Sequence, residues 1–356
     1  MDDRQEKFSG TKDVQSHLEL DISRLTPWLK SNVEGFSGPL TVKEFKGGQS
    51  NPTYQLVTPD KRYVLRRKPP GILMHSAHAV DREFRVIDAL GRVNFAVPKA
   101  FALCEDDNIL GTMFYVMEMV DGRIFWDLSL PEQTPEERTA IYKSKLETLA
   151  HLQSINPFDI GLEGFGKTKD YMARQIHRWG KIYAASETNK IPLMDQLNEW
   201  LPKHIPETEE LSIIHGDYRL DNVVCHPTEP KVIAVLDWEL STLGHPLGDF
   251  AAHLAPWLIP NINERVSSLE GLNLSELGIP TEEEYIAQYC ALTNRHHIDN
   301  LDFYKAYTLW RLAAIYQGIV KRVEDGTAAS TDALTDTDIP EAFAERAWFY
   351  AEKSLS

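Results

Sequence analysis

Cysteine is scarce in this chain of 356 residues: Cys104, Cys225 and Cys290 lie far apart, with no C-x-x-C spacing. That excludes a disulfide framework and a cysteine-based zinc site. It also suits a reducing cytosol, so a cytoplasmic location is expected. Long apolar runs are missing as well. Even VIAVL is closed quickly by Asp237, far short of a run that could span a bilayer. The opening MDDRQEKFSG lacks the basic-then-apolar layout of a secretory signal. Basic residues are outnumbered, 37 Lys and Arg against 53 Asp and Glu, for a net charge of -16. A field of that sign repels nucleic acid and anionic lipid, so neither nucleic acid nor a membrane is expected as a partner. Internal repeats and low-complexity tracts are absent too. What remains is an ordinary globular balance, 42% hydrophobic and 25% charged, with enough length for two compact lobes.

The texture changes along the chain. LELDISRLTPWLKSNV carries spaced apolar positions and reads as a short helix, with Pro27 weakening its middle. From Leu40, LTVKEFKGGQSNPTYQLVT and KRYVLRRK are β-rich, with a hairpin around Gly47-Gly48 and a turn at Pro59-Asp60. SAHAVDREFRVIDAL follows at helical spacing and ends near Gly91. KAFALC and TMFYVMEMV then return to strand, separated by the acidic turn EDDN. Beyond Asp121-Gly122 the pattern is helical: from Pro135 through YKSKLETLAHLQSI, over KDYMARQIHRWGKIYAA, and in EEEYIAQYCAL and FYKAYTLWRLAAIYQGIVKRV. Two short strands, LSIIHGD and KVIAVLDW, stand among these helices. A sheet-rich lobe, residues 1–120, followed by a helical lobe, residues 121–356, is an α+β arrangement.

Both short strands deliver polar groups abruptly at their ends. His215, Gly216, Asp217 and, four residues further on, Asn222 match the H-x-D-x-x-x-x-N layout of a kinase catalytic loop. Phosphoryl transfer explains the spacing. A carboxylate, Asp217, accepts the proton of an attacking hydroxyl, and a nearby amide oxygen, Asn222, binds the metal that bridges the nucleotide phosphates. Asp237, ending the next strand, is the second expected metal ligand. One Asp and one Asn suffice for magnesium, which keeps phosphate and water oxygens as its other ligands. Asp and Asn are common turn residues, so each alone reads as a turn former; all three in order at strand ends do not. Asp221 is expected only to brace the loop, His215 to act structurally, and Asp249 in GHPLGDFA to support the loop from a helix start.

HGDYRLDN together with LDW resembles the signature of the aminoglycoside phosphotransferase and choline kinase-like family, and the similarity extends from about Leu40 to the C-terminal helices. The resemblance implies a protein-kinase-like two-lobed fold, ATP or GTP as phosphoryl donor, magnesium, and a small-molecule hydroxyl as acceptor. In its light FKGGQSNPTY becomes a candidate phosphate loop, with Gly47, Gly48, Gln49, Ser50 and Asn51 letting backbone N–H groups approach phosphates. It lacks G-x-G-x-x-G, and alone it reads as a hairpin turn. The family pattern aligns Arg66 with the usual lysine on the strand YVLRRK, a departure because a guanidinium is larger and always charged. Arg67 or Lys68 are the alternatives. Glu83 is the expected partner of that cation, and the backbone around Glu118, Met119 and Val120 is expected to meet the adenine edge.

The acceptor is read from one basic segment. KTKDYMARQIHRWGKIY holds Arg174, Arg178 and Lys181 on one helical face, which suits an anionic acceptor such as a CoA thioester, or else a solvated basic face. Within the family, DYMARQIHRW, GGQSNPTY and YVLRRKPPG resemble a branch that includes phosphotransferase domains fused to acyl-CoA dehydrogenases and bacterial kinases of 4-hydroxyacyl-CoA catabolism. That branch suggests a hydroxyacyl-CoA or hydroxy-acid kinase. An aminoglycoside kinase is the alternative that fits the negative net charge, and a non-catalytic nucleotide-binding regulator is a third reading, opposed by the intact Asp217, Asn222 and Asp237. In the C-terminal helix, Phe303, Tyr307, Trp310 and Ala314 are expected to be core, and Arg311 to satisfy a buried acidic partner.

Overall fold

The structure is a computed structural model and describes residues 4–47, 51–69, 79–208, 210–263, 266–327 and 338–355. The chain divides into two compact units. The first comprises Met1–Asp127, Asn156–Phe165 and Arg219–Ser241, and the second Leu128–Ile155, Gly166–Tyr218 and Thr242–Ser356. This differs from a single cut near Val120–Asp121, because two later segments pack with the N-terminal part. Arg85 donates to the carbonyls of Gly161 and Glu163, and the amide of Val235 donates to the Ala96 carbonyl. Among the described residues no helix is long and apolar enough to cross a membrane.

Unit 1 is built on six antiparallel strands, β1 (Thr11–Lys12), β2 (Thr41–Phe45), β3 (Thr53–Val57), β4 (Arg62–Arg67), β5 (Ala100–Cys104) and β6 (Phe114–Glu118), in the order β1-β2-β3-β4-β6-β5. Alternation buries Tyr54, Leu56, Tyr63, Leu65, Phe114 and Val116 against Leu25 and Leu29 of the helix Ile22–Asn32. That helix runs through Pro27 and is capped by Asp21, whose side chain accepts from the Arg24 amide. The helix Val80–Arg92 buries Glu83, Val86, Ile87 and Leu90. EDDN forms a strand-ending turn that closes into the four-residue helix Asp107–Leu110. The strands Val223–Cys225 and Val232–Val235 pair as an antiparallel hairpin. Gly122 lies on that hairpin so closely that a Cβ would meet the Cys225 carbonyl oxygen at 2.3 Å, so no other residue fits without movement.

Unit 2 is helical. Pro135–Ser154 and Glu282–Leu292 each start with a reciprocal capping box, Thr134 with Glu137 and Thr281 with Glu284. The helix Leu301–Glu324 buries Phe303, Tyr307, Trp310 and Ala314, as core residues should be. The strand Ser212–Ile214 pairs antiparallel with Thr242–Gly244, and the helix Pro246–His253 follows.

Candidate active site

Strand β4 sorts two neighbouring arginines onto opposite faces. Arg67 shares the face of Tyr63 and Leu65. Its Nε donates to the Tyr54 hydroxyl at 3.0 Å and its Nη2 to the Leu18 carbonyl at 2.9 Å. Arg66 shares the face of Val64, where its Nε lies 3.0 Å from Oε2 of Glu83 on the helix Val80–Arg92. Its Nη2 reaches Oδ1 of Asp237 at 2.6 Å and Oε2 of Glu239 at 3.3 Å. The expected pairing of Glu83 with a β4 cation is thus made by Arg66, not Arg67. The Glu83 side chain is 1% exposed, and burial pushes its carboxyl up to about 7 even though Arg66 pulls the other way. Burial opposes the Arg66 charge as well, but Glu83 and then Asp237 hold it protonated more firmly than usual.

Asn222 and Asp237 are brought together by the hairpin between them. Asn222 ends a short 3-10 turn just before Val223–Cys225, and its carbonyl accepts the Leu236 amide at 2.8 Å. Asp237 follows in the left-handed region, φ 62 and ψ 63, a conformation that is unusual outside glycine and that typically costs about 1–3 kcal/mol when held at a functional position. Glu239 also accepts from Nδ2 of Asn51 at 3.1 Å, so the end of the candidate phosphate loop is tied to the same cluster. Glu239 was not singled out by its sequence; its signal is a second carboxylate two residues after Asp237 in LDWE. Glu83, Asp237 and Glu239 converge on one guanidinium, so the cluster is short of positive charge. Among the described residues no three His, Cys, Asp or Glu side chains form a metal-binding group, so a magnesium ion here would need Asn222, Asp237 and the oxygens of phosphate and water.

Asp217 lies in unit 2, on a loop held almost entirely through its backbone. The amides of His215 and Gly216 donate to the two carboxylate oxygens of buried Asp249, each at 2.9 Å. Gly216 takes φ +84, and its carbonyl accepts from Nη2 of Arg311 at 3.0 Å. The Asp217 amide donates to Nδ1 of His215 at 3.2 Å, which fits the structural role expected of that histidine. On the other side, the Tyr218 hydroxyl donates to the Lys145 carbonyl at 2.9 Å, and the Tyr218 carbonyl lies 3.1 Å from Nδ1 of His253. Burial, reinforced by Lys145, holds His253 well below the usual imidazole range. The neutral ring therefore donates from Nδ1 and leaves Nε2 for the Tyr285 hydroxyl at 2.8 Å.

The model of the phosphotransferase enzyme family matches residues 41–272. The chain belongs to this family. It is similar to mouse acyl-CoA dehydrogenase family member 10, 42% identical over 97% of this chain and 32% of that protein. It is also similar to human acyl-CoA dehydrogenase family member 11, 41% identical over 98% of this chain and 45% of that one. The chain therefore spans from just under a third to just under half of the length of these relatives. A crystal structure from Ralstonia eutropha JMP134, provisionally named an aminoglycoside phosphotransferase, superposes with a TM-score of 0.86 at 48% identity, covering 94% of this chain and 99% of that one. The chain has an α+β, kinase-like fold.

Other expected site residues fall differently. Gly48, Gln49 and Ser50 lie outside the described residues. Gly47 is described, and a Cβ there would meet the Phe8 carbonyl oxygen at 3.3 Å and the Trp126 ring at 3.6 Å. Asn51 is buried and directs its side chain to Glu239. Glu118 is committed to the sheet: its amide donates to the Lys99 carbonyl at 2.9 Å and its carboxylate accepts the Lys99 amide. Met119 and Val120 lie beyond the last residue of β6.

The basic face of the phosphotransferase divides. Lys181 lines a groove of about 500 Å³ with Ile176, His177, Gly180, Asn198 and Ile205, and neither Arg174 nor Arg178 lines it. Arg174 donates to the Lys167 carbonyl at 3.0 Å, and Arg178 lies over the Trp179 ring, 5.9 Å from its centroid. Arg311 reaches the same ring from the helix Leu301–Glu324, at 5.3 Å. Among the described residues Arg311 makes no ion pair with a carboxylate; the buried Asp249 carboxylate acts on it through its field alone, one N–H goes to the Gly216 carbonyl, and the guanidinium lies near the Trp179 ring.

Proposed function

We propose that the protein transfers the γ-phosphoryl group of ATP, with magnesium, to a hydroxyl of an anionic small molecule of the hydroxyacyl-CoA or hydroxy-acid kind. The observation that carries the donor half is Arg66, one buried guanidinium bonded to both Glu83 and Asp237. In this reading Arg66 neutralises the inner phosphates, and Met119 and Val120 offer backbone to the adenine edge. Asn222 and Asp237, with Glu239 beside them, would hold magnesium, which when bound draws charge from the phosphate oxygens. Asp217 accepts the proton of the acceptor hydroxyl while that oxygen bonds to the γ-phosphorus. The bond from the γ-phosphorus to the β–γ bridging oxygen breaks, and ADP leaves.

The acceptor class rests on charge. Arg178 and Arg311 share the Trp179 ring, and Arg174 lies one helical turn before Arg178, in a protein whose net charge is -16. An aminoglycoside, itself cationic, would be repelled by them. The names of the relatives connect this branch with acyl-CoA chemistry, which supports the thioester. A cytoplasmic location suits three cysteines that are all buried thiols. The test is an ADP-release screen over hydroxyacyl-CoAs, free hydroxy acids, aminoglycosides and amino alcohols. Release driven by aminoglycosides alone would reassign the acceptor, and nucleotide binding without release for any acceptor would make the protein a regulator.

A further inference from the structure

We infer that Arg311, with Arg178 beside it, is the residue that selects an anionic acceptor, gripping an anionic oxygen of that molecule next to the catalytic base; this rests on the kinase reading above. Three observations in unit 2 carry it. Arg311 spends one N–H on the carbonyl of Gly216, the residue immediately before Asp217. Its Nε is buried without a hydrogen-bond partner, although a guanidinium carries five N–H donors that want acceptors. No carboxylate pairs with Arg174, Arg178 or Arg311 among the described residues, and their recorded partners are backbone carbonyls and the Trp179 ring. Buried Asp249 offsets part of the Arg311 charge through its field without bonding to it, so the guanidinium at the backbone of the base keeps donors for an anion.

The surroundings sharpen the class of ligand. Tyr171, half-buried, and Tyr307, buried, lie in the field of these arginines: Arg311 and Arg174 act on Tyr171, and Arg311 and Arg178 on Tyr307, with the buried Asp249 carboxylate acting on both Tyr171 and Arg311. Burial raises both phenols, Tyr307 to about 12, so the rings stay neutral and bring no negative charge of their own. The Trp179 face orients two of the guanidinium planes. A planar fork held this way binds a carboxylate or phosphate with two parallel hydrogen bonds, which an ammonium cannot copy. The shared chemistry is an anionic oxygen, supplied by the carboxylate of a free hydroxy acid or by a phosphate of coenzyme A.

The experiment is calorimetric binding to the full chain, wild type and the variants Arg311→Met, Arg311→Lys and Arg178→Gln. The probes are coenzyme A, a free 4-hydroxy acid, the matching neutral diol, kanamycin and ADP. The expected result is that wild type binds at least one anionic probe and that R311M weakens it about tenfold or more. R311K recovers part of that loss, R178Q costs about threefold, and ADP and the diol bind as before. Preference for coenzyme A over the free acid, or the reverse, names the source of the oxygen. Equal binding of the anionic probe by wild type and by folded R311M or R178Q would overturn the proposal. So would tighter binding of kanamycin than of either anion, no binding of either anion by wild type, or parallel weakening of ADP and diol, which marks Arg311 as a brace for Gly216 only. R178Q changes an exposed side chain, so the test survives if R311M does not fold. Failure of the kinase reading shows separately, as anion binding without phosphoryl transfer.

Discussion

Around Arg66, unit 1 gathers one guanidinium and three carboxylates on each other's side chains, whereas around Asp217, unit 2 directs its charged groups, Asp249 and Arg311, and a neutral imidazole onto the loop's backbone. On the proposed reading, the difference follows from what each part would have to do. A group that meets phosphates must keep charge available, and buried charge survives only when paired. A group that must accept a proton needs above all a fixed position. The first arrangement is energetically exposed to loss of a partner, and the second to loss of geometry.

That contrast can be broken most severely at Asp217. Asp217→Asn removes the base while leaving Arg66, Asn222 and Asp237 in place, so turnover should fall by about 10²–10⁴-fold, with ADP affinity unchanged. ADP-release kinetics and calorimetry read the two quantities, and near-normal turnover would remove Asp217 from the chemistry. Arg66→Met should show the vulnerability of the other region. It strands buried Glu83 and should cost about 3–5 kcal/mol of stability, part of which Glu83→Gln restores in the double variant. Denaturant midpoints read both, and additive effects would mean the two residues do not depend on each other.

pH separates the regions by sign. The Glu83 carboxyl is raised to about 7, so its contribution to stability is complete below the ordinary carboxylate range and is lost as pH rises through about 7. His253 is depressed, so its contribution is complete above the ordinary imidazole value and is lost as pH falls below it. Each group contributes a slope of up to about 1.4 kcal/mol per pH unit, in opposite directions. Melting scans of Glu83→Gln and His253→Asn against wild type should flatten the alkaline and the acid side respectively; unchanged slopes would refute both assignments. The smallest effect is expected at Asn51→Ala, about 1 kcal/mol from one lost hydrogen bond to Glu239, visible as a rise in the KM for ATP with little change in kcat.

Much of this arrangement is legible in the sequence where local pattern and chemistry coincide. H-x-D-x-x-x-x-N and the apolar strands around it fix which residues end the strands, and alternation along YVLRRK already separates Arg66 from Arg67. The β-rich first part and the helical remainder also follow from periodicity. What pattern does not carry is partnership across distance. Nothing local says that Arg311 faces the Gly216 carbonyl rather than an acid, since the two are 95 residues apart. Glu118 reads as an open strand end, yet Lys99 takes up its amide through sheet pairing. Glu239 lacks a motif of its own and becomes visible only when Asn51 and Arg66 meet it.

The way the chain is threaded through the two units bears on how it could be dissected. Unit 1 draws the hairpin that carries Asn222 and Asp237 from residues 219–241, long after its sheet is complete. A fragment ending near Asp127 would contain all six sheet strands but leave Arg66 and Glu83 without Asp237 and Glu239, and Phe95 without the Trp238 ring that meets it edge-on. Complementation by two separately expressed pieces would therefore have to be designed around five crossings of the polypeptide between units, and a simple C-terminal truncation series would report on folding long before it reported on nucleotide.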